Sequence, residues 1–321
     1  MIKFVDYNLK SFTMKAEEII KIRQLEWAKR KGIEVDKKYK LYCKSVKDNI
    51  FKWKDNEGME YGLFEDAKKQ FMDANGNELN DGDSPAKMRA LLSSSALCVN
   101  VFQYLLRNDM LSIISDVLDL EMEKPKGTFE EKFAIDGTDT GKRFPANLDF
   151  VIKEDNKLIA IESKFTEPYG RVKKNSRLLR QSYLNSKSRE YEFEINRFTK
   201  LKDWINKEWK IEKYNKGKNI ARLCPYEYLD AAQLIKHLLG LSSESQMSEK
   251  GYKNYKLCYL YYCIDSKQMA KHSIELNDFQ THLDKCINFE AMSYQEFFQN
   301  LKQKAAGHED YLNYMKERYW L

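Results

Sequence analysis

Two acidic residues and a lysine are spaced in this sequence so that one patch of a folded sheet could hold all three. Asp149 lies in the run NLDFVI and Glu162-Ser163-Lys164 in IAIESKF, with twelve residues between the aspartate and the glutamate. An E-x-K triplet alone means little, since Glu130-Glu131-Lys132 and Glu208-Trp209-Lys210 have the same form. The apolar residues around Asp149 and Glu162 set this triplet apart, because they dictate a pairing. If the chain turns at Asp155-Asn156, Glu154 faces Lys157, and counting back along both strands brings Asp149 opposite Glu162, with Cβ atoms about 5 Å apart. Lys164 is two residues beyond Glu162 and shares its face. The same register sets Phe150 across from Ile161 and Ile152 across from Ile159 on the other face, and a one-residue slip would mix the faces.

Directly opposed like charges destabilise a sheet, so something must offset them. A proton could be shared between the carboxylates, raising one pKa; the lysine could neutralise part of the charge; or a divalent cation could bridge both. Mg²⁺ suits one or two carboxylates with its remaining positions left to water and phosphate oxygens. It also lowers the pKa of bound water and stabilises charge on a phosphoryl group. Lys164, held beside it, could orient or help deprotonate an attacking water and offset developing negative charge. The competing reading is an exposed Asp–Glu–Lys cluster on a sheet face. The small Ala160 on that face and the apolar flanking strands favour the metal site.

The elements that would position these groups follow from periodicity and turn signals. Helices are expected over 14–31, ending at Gly32, and around 63–72. Ser84-Pro85 reads as an N-cap and first-turn proline opening a helix through Leu105, and Asn108 or Asp109 as the cap of a second helix reaching Leu120. Residues 128–136, 145–153 and 158–165 alternate as three strands of a meander. Helices are expected again over about 175–210 and over 229–239, the latter stopped by Gly240 as its C′ residue. The nearly all-apolar run 255–264 reads as a central strand. A helix over about 267–285, a strand over 287–292 and a helix opened by the Ser293/Glu296 capping box complete the order. The expected organisation is an N-terminal mainly helical extension over 1–83, a core over 84–300 containing a basic helical insertion at 171–222, and a helical tail over 301–321. The fold class is α/β, a mixed central sheet flanked by helices.

Composition excludes several classes. The chain of 321 residues has 32% charged residues, only 13 Gly and 5 Pro, and too many aromatics for disorder. No apolar run approaches the roughly 18 residues of a membrane span, and the start carries no secretory signal pattern; a cytoplasmic protein is expected. Six Cys without any C-x-x-C read as buried free thiols. Four His give a histidine-based triad or metal cluster little to work with. Net charge is +6 overall, yet 171–222 carries 16 Lys/Arg against 6 Asp/Glu, so the rest of the chain sums to −4. Aromatics are interleaved there, a composition suited to phosphates and bases, with Lys173, Lys174, Arg177 and Arg180 as candidate contacts. The alternative is a set of solvated helices whose aromatics turn inward.

The D-x12-E-x-K arrangement across a hairpin, with its flanking order of helix and strand, resembles the PD-(D/E)XK nuclease superfamily, which has a restriction-endonuclease-like αβββαβ core. NLDFVI, IAIESKFTEPYG, LLSSSALCVNVF and YLDAAQLIKHLLGL also resemble a bacterial family labelled as restriction endonucleases, over roughly 85–300. The resemblance implies Mg²⁺-dependent phosphodiester hydrolysis in DNA, with Mn²⁺ as a substitute, no organic cofactor and no membrane; a homodimer is compatible with it. Asp149 and Glu162 would be metal ligands, the Ser163 main-chain carbonyl would complete the shell, and Lys164 would be the catalytic lysine. Leu148 stands where the motif name has proline. An upstream glutamate in many members points to Glu130, left on the metal side if Phe129, Phe133 and Ile135 share a face with Leu148, Phe150 and Ile152; Glu131 is its alternative. Gln233 and His237, at i and i+4, resemble a Q-x-x-x-Y element with His replacing Tyr, or else form a helix's polar edge. Glu167 is a further candidate ligand. Endonucleolytic cleavage is the favoured mode. The alternative function is a nuclease-fold module that binds nucleic acid or a partner and has no activity.

Overall fold

In the computed structural model, residues 15–54, 57–74, 78–135, 145–184, 194–214, 219–247 and 254–321 are described. The chain opens with α1 (Ala16–Arg30), the short strands β1 (Trp53–Lys54) and β2 (Glu60–Tyr61), and α2 (Glu65–Asp73). α3 (Ser94–Arg107) and α4 (Leu111–Val117) precede the meander of β3 (Lys126–Phe133), β4 (Ala146–Glu154) and β5 (Lys157–Lys164). Next come β6 (Leu178–Arg180), α5 (Glu194–Arg197), α6 (Thr199–Glu208), β7 (Lys210–Tyr214) and β8 (Asn219–Leu223). The chain closes with α7 (Ala231–Met247), β9 (Asn254–Tyr261), α8 (Lys267–Thr281), β10 (Phe289–Ser293), α9 (Tyr294–Lys304) and α10 (Glu309–Tyr319).

Five strands form one mixed sheet in the order β10-β9-β5-β4-β3. The meander is antiparallel, while β9 runs parallel to both β5 and β10. The β4–β5 register is the one that the apolar pairs demand, with Phe150 opposite Ile161 and Ile152 opposite Ile159. One sheet face packs on α3, α4, α9 and α10 through Phe150, Ile152, Ile159, Ile161 and Leu260. The other packs on α7 through Leu148, Val151, Ala160 and Leu257. The N-terminal segment joins the first of these cores, with Ile20, Ile50 and Phe71 inside it and the Phe71 ring 5.6 Å from Phe129. It is also fastened to α10. Arg318, fully buried, donates to the Asn49 carbonyl at 2.7 Å and to Gln24 at 3.2 Å, with its guanidinium 4.1 Å over Trp27.

Several local expectations need correction. α3 is capped by Ser93, whose Oγ accepts from the Ala96 N–H at 3.1 Å, and does not start at Ser84-Pro85. The intervening stretch is tied to earlier chain: the Asn49 amide donates to the Met88 and Ala90 carbonyls, both at 2.8 Å, and the Leu91 N–H donates to Leu41. Those bonds take the carbonyls a helix would need, leaving one 3₁₀ turn at Lys87–Arg89. The basic segment is not simply helical; it contains an antiparallel sheet ordered β6-β8-β7. Tyr169 just before it and Tyr183, Phe198, Trp204 and Trp209 within it are buried, so they build core and are not displayed to bases. Tyr191 and Phe193 lie outside the described residues.

Gly240 does not stop its helix, because α7 continues to Met247. Its missing side chain serves packing: a Cβ there would stand 2.8 Å from the Ala146 Cβ and 3.2 Å from the Phe133 Cβ. α7 therefore rests directly on β3 and β4. Gly240→Val should cost about 1–3 kcal/mol by overpacking, read as a lower urea midpoint at an unchanged slope. A stability equal to wild type would show that this contact does not set the helix position.

Candidate active site

β5 is interior to the sheet, and its last turn of the pleat carries Glu162 and Lys164 toward α7. Glu162 is 1% exposed. Its Oε1 accepts from the Lys164 ammonium at 2.5 Å, and its Oε2 lies 3.0 Å from His237 Nε2, out of hydrogen-bond alignment. Lys164 also donates to Gln233 Oε1 at 3.1 Å. The i, i+4 pair on α7 therefore faces the two β5 residues directly. Asp230 starts that helix, its Oδ1 accepting from the Gln233 N–H at 3.0 Å. Asp230 followed three residues later by Gln233 has the spacing of an N-terminal cap, a signal that would have added Asp230 to the site.

Asp149 lies beyond the last β4–β5 pair, Phe150–Ile161, and accepts from the Ser163 N–H at 2.6 Å. The Ser163 main chain thus links Asp149 to the strand carrying Glu162 and Lys164. The Ser163 hydroxyl points to the opposite core and meets the Tyr294 hydroxyl at 2.6 Å.

Glu130 is where the strand geometry departs from simple alternation. Its φ of +52° is a left-handed backbone, uncommon for a residue with a side chain. The β3–β4 ladder pairs Phe129 with Phe150 and then Glu131 with Leu148, passing over Glu130 and Asp149. As a result Phe129 and Phe150 sit in one core, while Phe133, Ile135 and Leu148 sit in the other. The expected single face of Phe129, Phe133 and Ile135 is therefore wrong, because the local twist turns the strand over at Glu130. The same twist separates the two glutamates. Glu131 pairs with Lys153, whereas the Glu130 carboxylate accepts from the Asn147 amide. Glu78, buried and joined to Lys87 at 3.0 Å, adds a carboxylate near Glu130 that no spacing rule reveals.

The electrostatics follow from burial. Burial, then the neighbouring Glu162 charge, pushes the Asp149 carboxyl well up. Burial acts the same way on Glu162, but the Lys164 charge, then His237, outweigh it and hold Glu162 low. Burial alone would lower Lys164, yet Glu162, Glu167 and Asp149 raise it, so its ammonium is retained. Burial, with Glu78 and Glu162 assisting against the Asn147 bond, lifts Glu130 to about 7. Glu162 Oε2 is a buried carboxylate oxygen whose near neighbour is His237 Nε2. Among the described residues, no three His, Cys, Asp or Glu are spaced to hold a metal by themselves. Glu167 turns back on its own loop, accepting from the Phe165 and Thr166 N–H groups at 2.8 and 2.9 Å. All six cysteines are free, and four of them are buried.

The chain is thus an α/β protein with a helix-flanked five-stranded mixed sheet and an acid–acid–lysine group at one strand end, its Glu162 buried and its Asp149 and Lys164 half-buried. It belongs to the family described as Restriction Endonuclease associating with ARP, which matches residues 21–320. No curated protein and no solved structure matches the chain. Among the described residues no helix is long and apolar enough to cross a membrane.

Behind Glu162, its β9 partner Tyr259 places its hydroxyl 2.9 Å from Nε2 of the fully buried His272, whose Nδ1 has no partner. Burial holds His272 at about 4, below its ordinary 6.5. The folded protein then binds this proton more weakly than the unfolded chain. Its contribution is complete above about pH 6.5 and is lost as the pH falls toward 4, by up to about 3 kcal/mol. His272→Gln should flatten that part of the stability–pH curve in urea melts. Equal slopes for variant and wild type would remove His272 from the acid response.

Proposed function

We propose that this chain is a metal-dependent nuclease of the PD-(D/E)XK type that hydrolyses phosphodiester bonds in DNA, with endonucleolytic cleavage as the favoured mode. The observation that carries this reading is the convergence of Asp149, Glu162 and Lys164 at the end of β5, joined by the 2.6 Å Ser163–Asp149 and 2.5 Å Lys164–Glu162 contacts. The family to which the chain belongs supports it.

The donor set fits a hard divalent cation. A buried and a half-buried carboxylate face one ammonium, and Glu162 Oε2 is turned to His237 Nε2 at 3.0 Å, leaving both acids within reach of one ion. Asp149, Glu162 and the Ser163 main-chain carbonyl would hold Mg²⁺, or Mn²⁺ in its place, with Glu130 at the margin. When bound, such an ion stabilises charge on a phosphoryl group and acidifies water. The protein's own groups supply the rest. Lys164 offers a fixed ammonium to offset negative charge developing on the phosphate and to orient the attacking water. Gln233 and His237 hold Lys164 and Glu162 from the α7 side and keep water away from them. Because burial and Glu162 push the Asp149 carboxyl up, cation and proton compete for it, and cation affinity should rise with pH.

Purified protein should cut circular and linear DNA with Mg²⁺ and not with EDTA, and circular DNA should be linearised or nicked. Lys164→Ala and Asp149→Ala should each lower the rate of folded protein at least about 100-fold, equivalent to about 2.7 kcal/mol of transition-state stabilisation; Lys164→Ala, which leaves Glu162 uncompensated, should also melt at lower temperature. Wild-type rates from Lys164→Ala would remove the lysine from the mechanism. Absent cleavage together with absent calorimetric Mg²⁺ and Mn²⁺ binding would favour the inactive binding module.

A further inference from the structure

Several of the described cations in 171–222 are engaged within the fold. Lys174 pairs with Glu212 at 3.1 Å and Arg171 with Glu227 at 3.4 Å. Arg177 donates to the Cys224 carbonyl at 2.7 Å, and Arg222 to the carbonyls of Asn206 and Trp209, both at 3.4 Å. Lys173 and Arg180 remain exposed, Arg180 with a partner of its own. Positive charge without such partners is assembled elsewhere, by residues far apart in sequence.

α1, α9 and α10 border a groove of about 680 Å³ lined by Arg30, Lys302, Lys316, Glu317 and Trp320. Glu317, the acid among these, is already bound to Lys31 at 2.6 Å. Lys302 and Lys316 make no ion pair among the described residues. Partial burial, then the Lys316 charge, lowers the Lys302 pKa, as expected of like charges held close. Trp320 stands at the groove wall, half exposed and in a left-handed backbone with φ +59°. The Arg23 guanidinium lies 3.5 Å over its ring. Buried core links the helix end bearing this groove to the strand carrying the site. Phe165, next to Lys164, packs its ring 5.6 Å from that of Tyr319, next to Trp320.

We propose that this groove binds the sugar-phosphate backbone of the nucleic acid whose bond is cut at the Asp149–Glu162–Lys164 site, with Trp320 offering a stacking face. The occupant follows from two features: unpaired lysines match phosphates, and an exposed indole beside a guanidinium matches a base or sugar. An acidic polypeptide would satisfy only the first. The inference rests on the nuclease reading, and its test separates the two.

Binding of a fluorescein-labelled 30-base-pair duplex by the full chain is followed by anisotropy in EDTA, where no cleavage occurs, across a KCl series. Lys302→Glu/Lys316→Glu should weaken binding at least about tenfold and make the log–log salt slope shallower by about 2, at about 0.9 per phosphate contact. Trp320→Ala should weaken binding with the slope unchanged. The control Lys124→Glu/Lys126→Glu makes the same charge change at the opposite end of the sheet and should have a smaller effect. Unchanged affinity and slope in the groove variants, with Mg²⁺-dependent cleavage intact in wild type, would overturn the groove and leave the nuclease standing. Binding of a labelled poly-glutamate peptide that depends on Lys302 and Lys316, without duplex binding, would overturn it in favour of an acidic protein partner. Duplex binding lost in the groove variants of a wild type that never cleaves would keep the groove and remove the nuclease.

Discussion

A buried glutamate facing a half-buried aspartate beside one ammonium is the constraint around which this molecule is arranged. Taking an ion out of water costs several kcal/mol even after relaxation, and Glu162 lies inside a five-stranded sheet with 1% exposure. It is tolerable only where compensation arrives from close by. Lys164 supplies the charge from the same strand, while α7 supplies Gln233 against Lys164 and His237 against Glu162. Those α7 side chains reach their partners because the helix lies flat on β3 and β4, and it lies flat because Gly240 puts no side chain between it and Ala146. A glycine two turns from the site and a buried ion pair are parts of one argument. Close helix approach is what keeps the charge compensated.

The central register was legible in the sequence because it depends on pairs. Phe150 with Ile161 and Ile152 with Ile159 admit one alignment, and the ladder has it; the ladder ends one residue short of the expected Asp149–Glu162 pair. The Ser293 cap of α9 was legible for the same reason, since both of its bonds join residues three apart. Interactions between distant segments were not legible. Asn49 bonds to the Met88 and Ala90 carbonyls and keeps Ser84-Pro85 from opening a helix. The left-handed backbone at Glu130 exchanges faces in mid-strand, which period-two reading cannot anticipate. It is also the feature that separates the roles of two adjacent glutamates, sending Glu131 to Lys153 and leaving Glu130 with Asn147.

Charge distribution shows the same division. Counting along the chain locates positive charge in one segment, but counting cannot tell a satisfied cation from an available one. Arg177 and Arg222 cap carbonyls, Lys174 and Arg171 hold carboxylates, and the aromatics between them fill core. Part of the segment's positive charge is thus consumed by its own sheet and helices. Lys302 and Lys316, unremarkable within their helices, gain significance from tertiary packing, which brings α1, α9 and α10 to one groove.

Charge balance at the site bears on the proposed chemistry. Two ionised carboxylates and one ammonium leave a net charge of −1, which a proton on Asp149 cancels; this is the direction in which burial and Glu162 drive that group. A phosphodiester brings a further negative charge and would be repelled by the deprotonated site. A divalent cation in place of the proton leaves the site at +1, the complement of a phosphodiester anion. Proton and metal would thus compete for one carboxylate, and the metal-loaded form alone would attract the substrate. On the proposed reading, the burial that makes the pair costly in isolation also couples substrate attraction to occupancy by the ion.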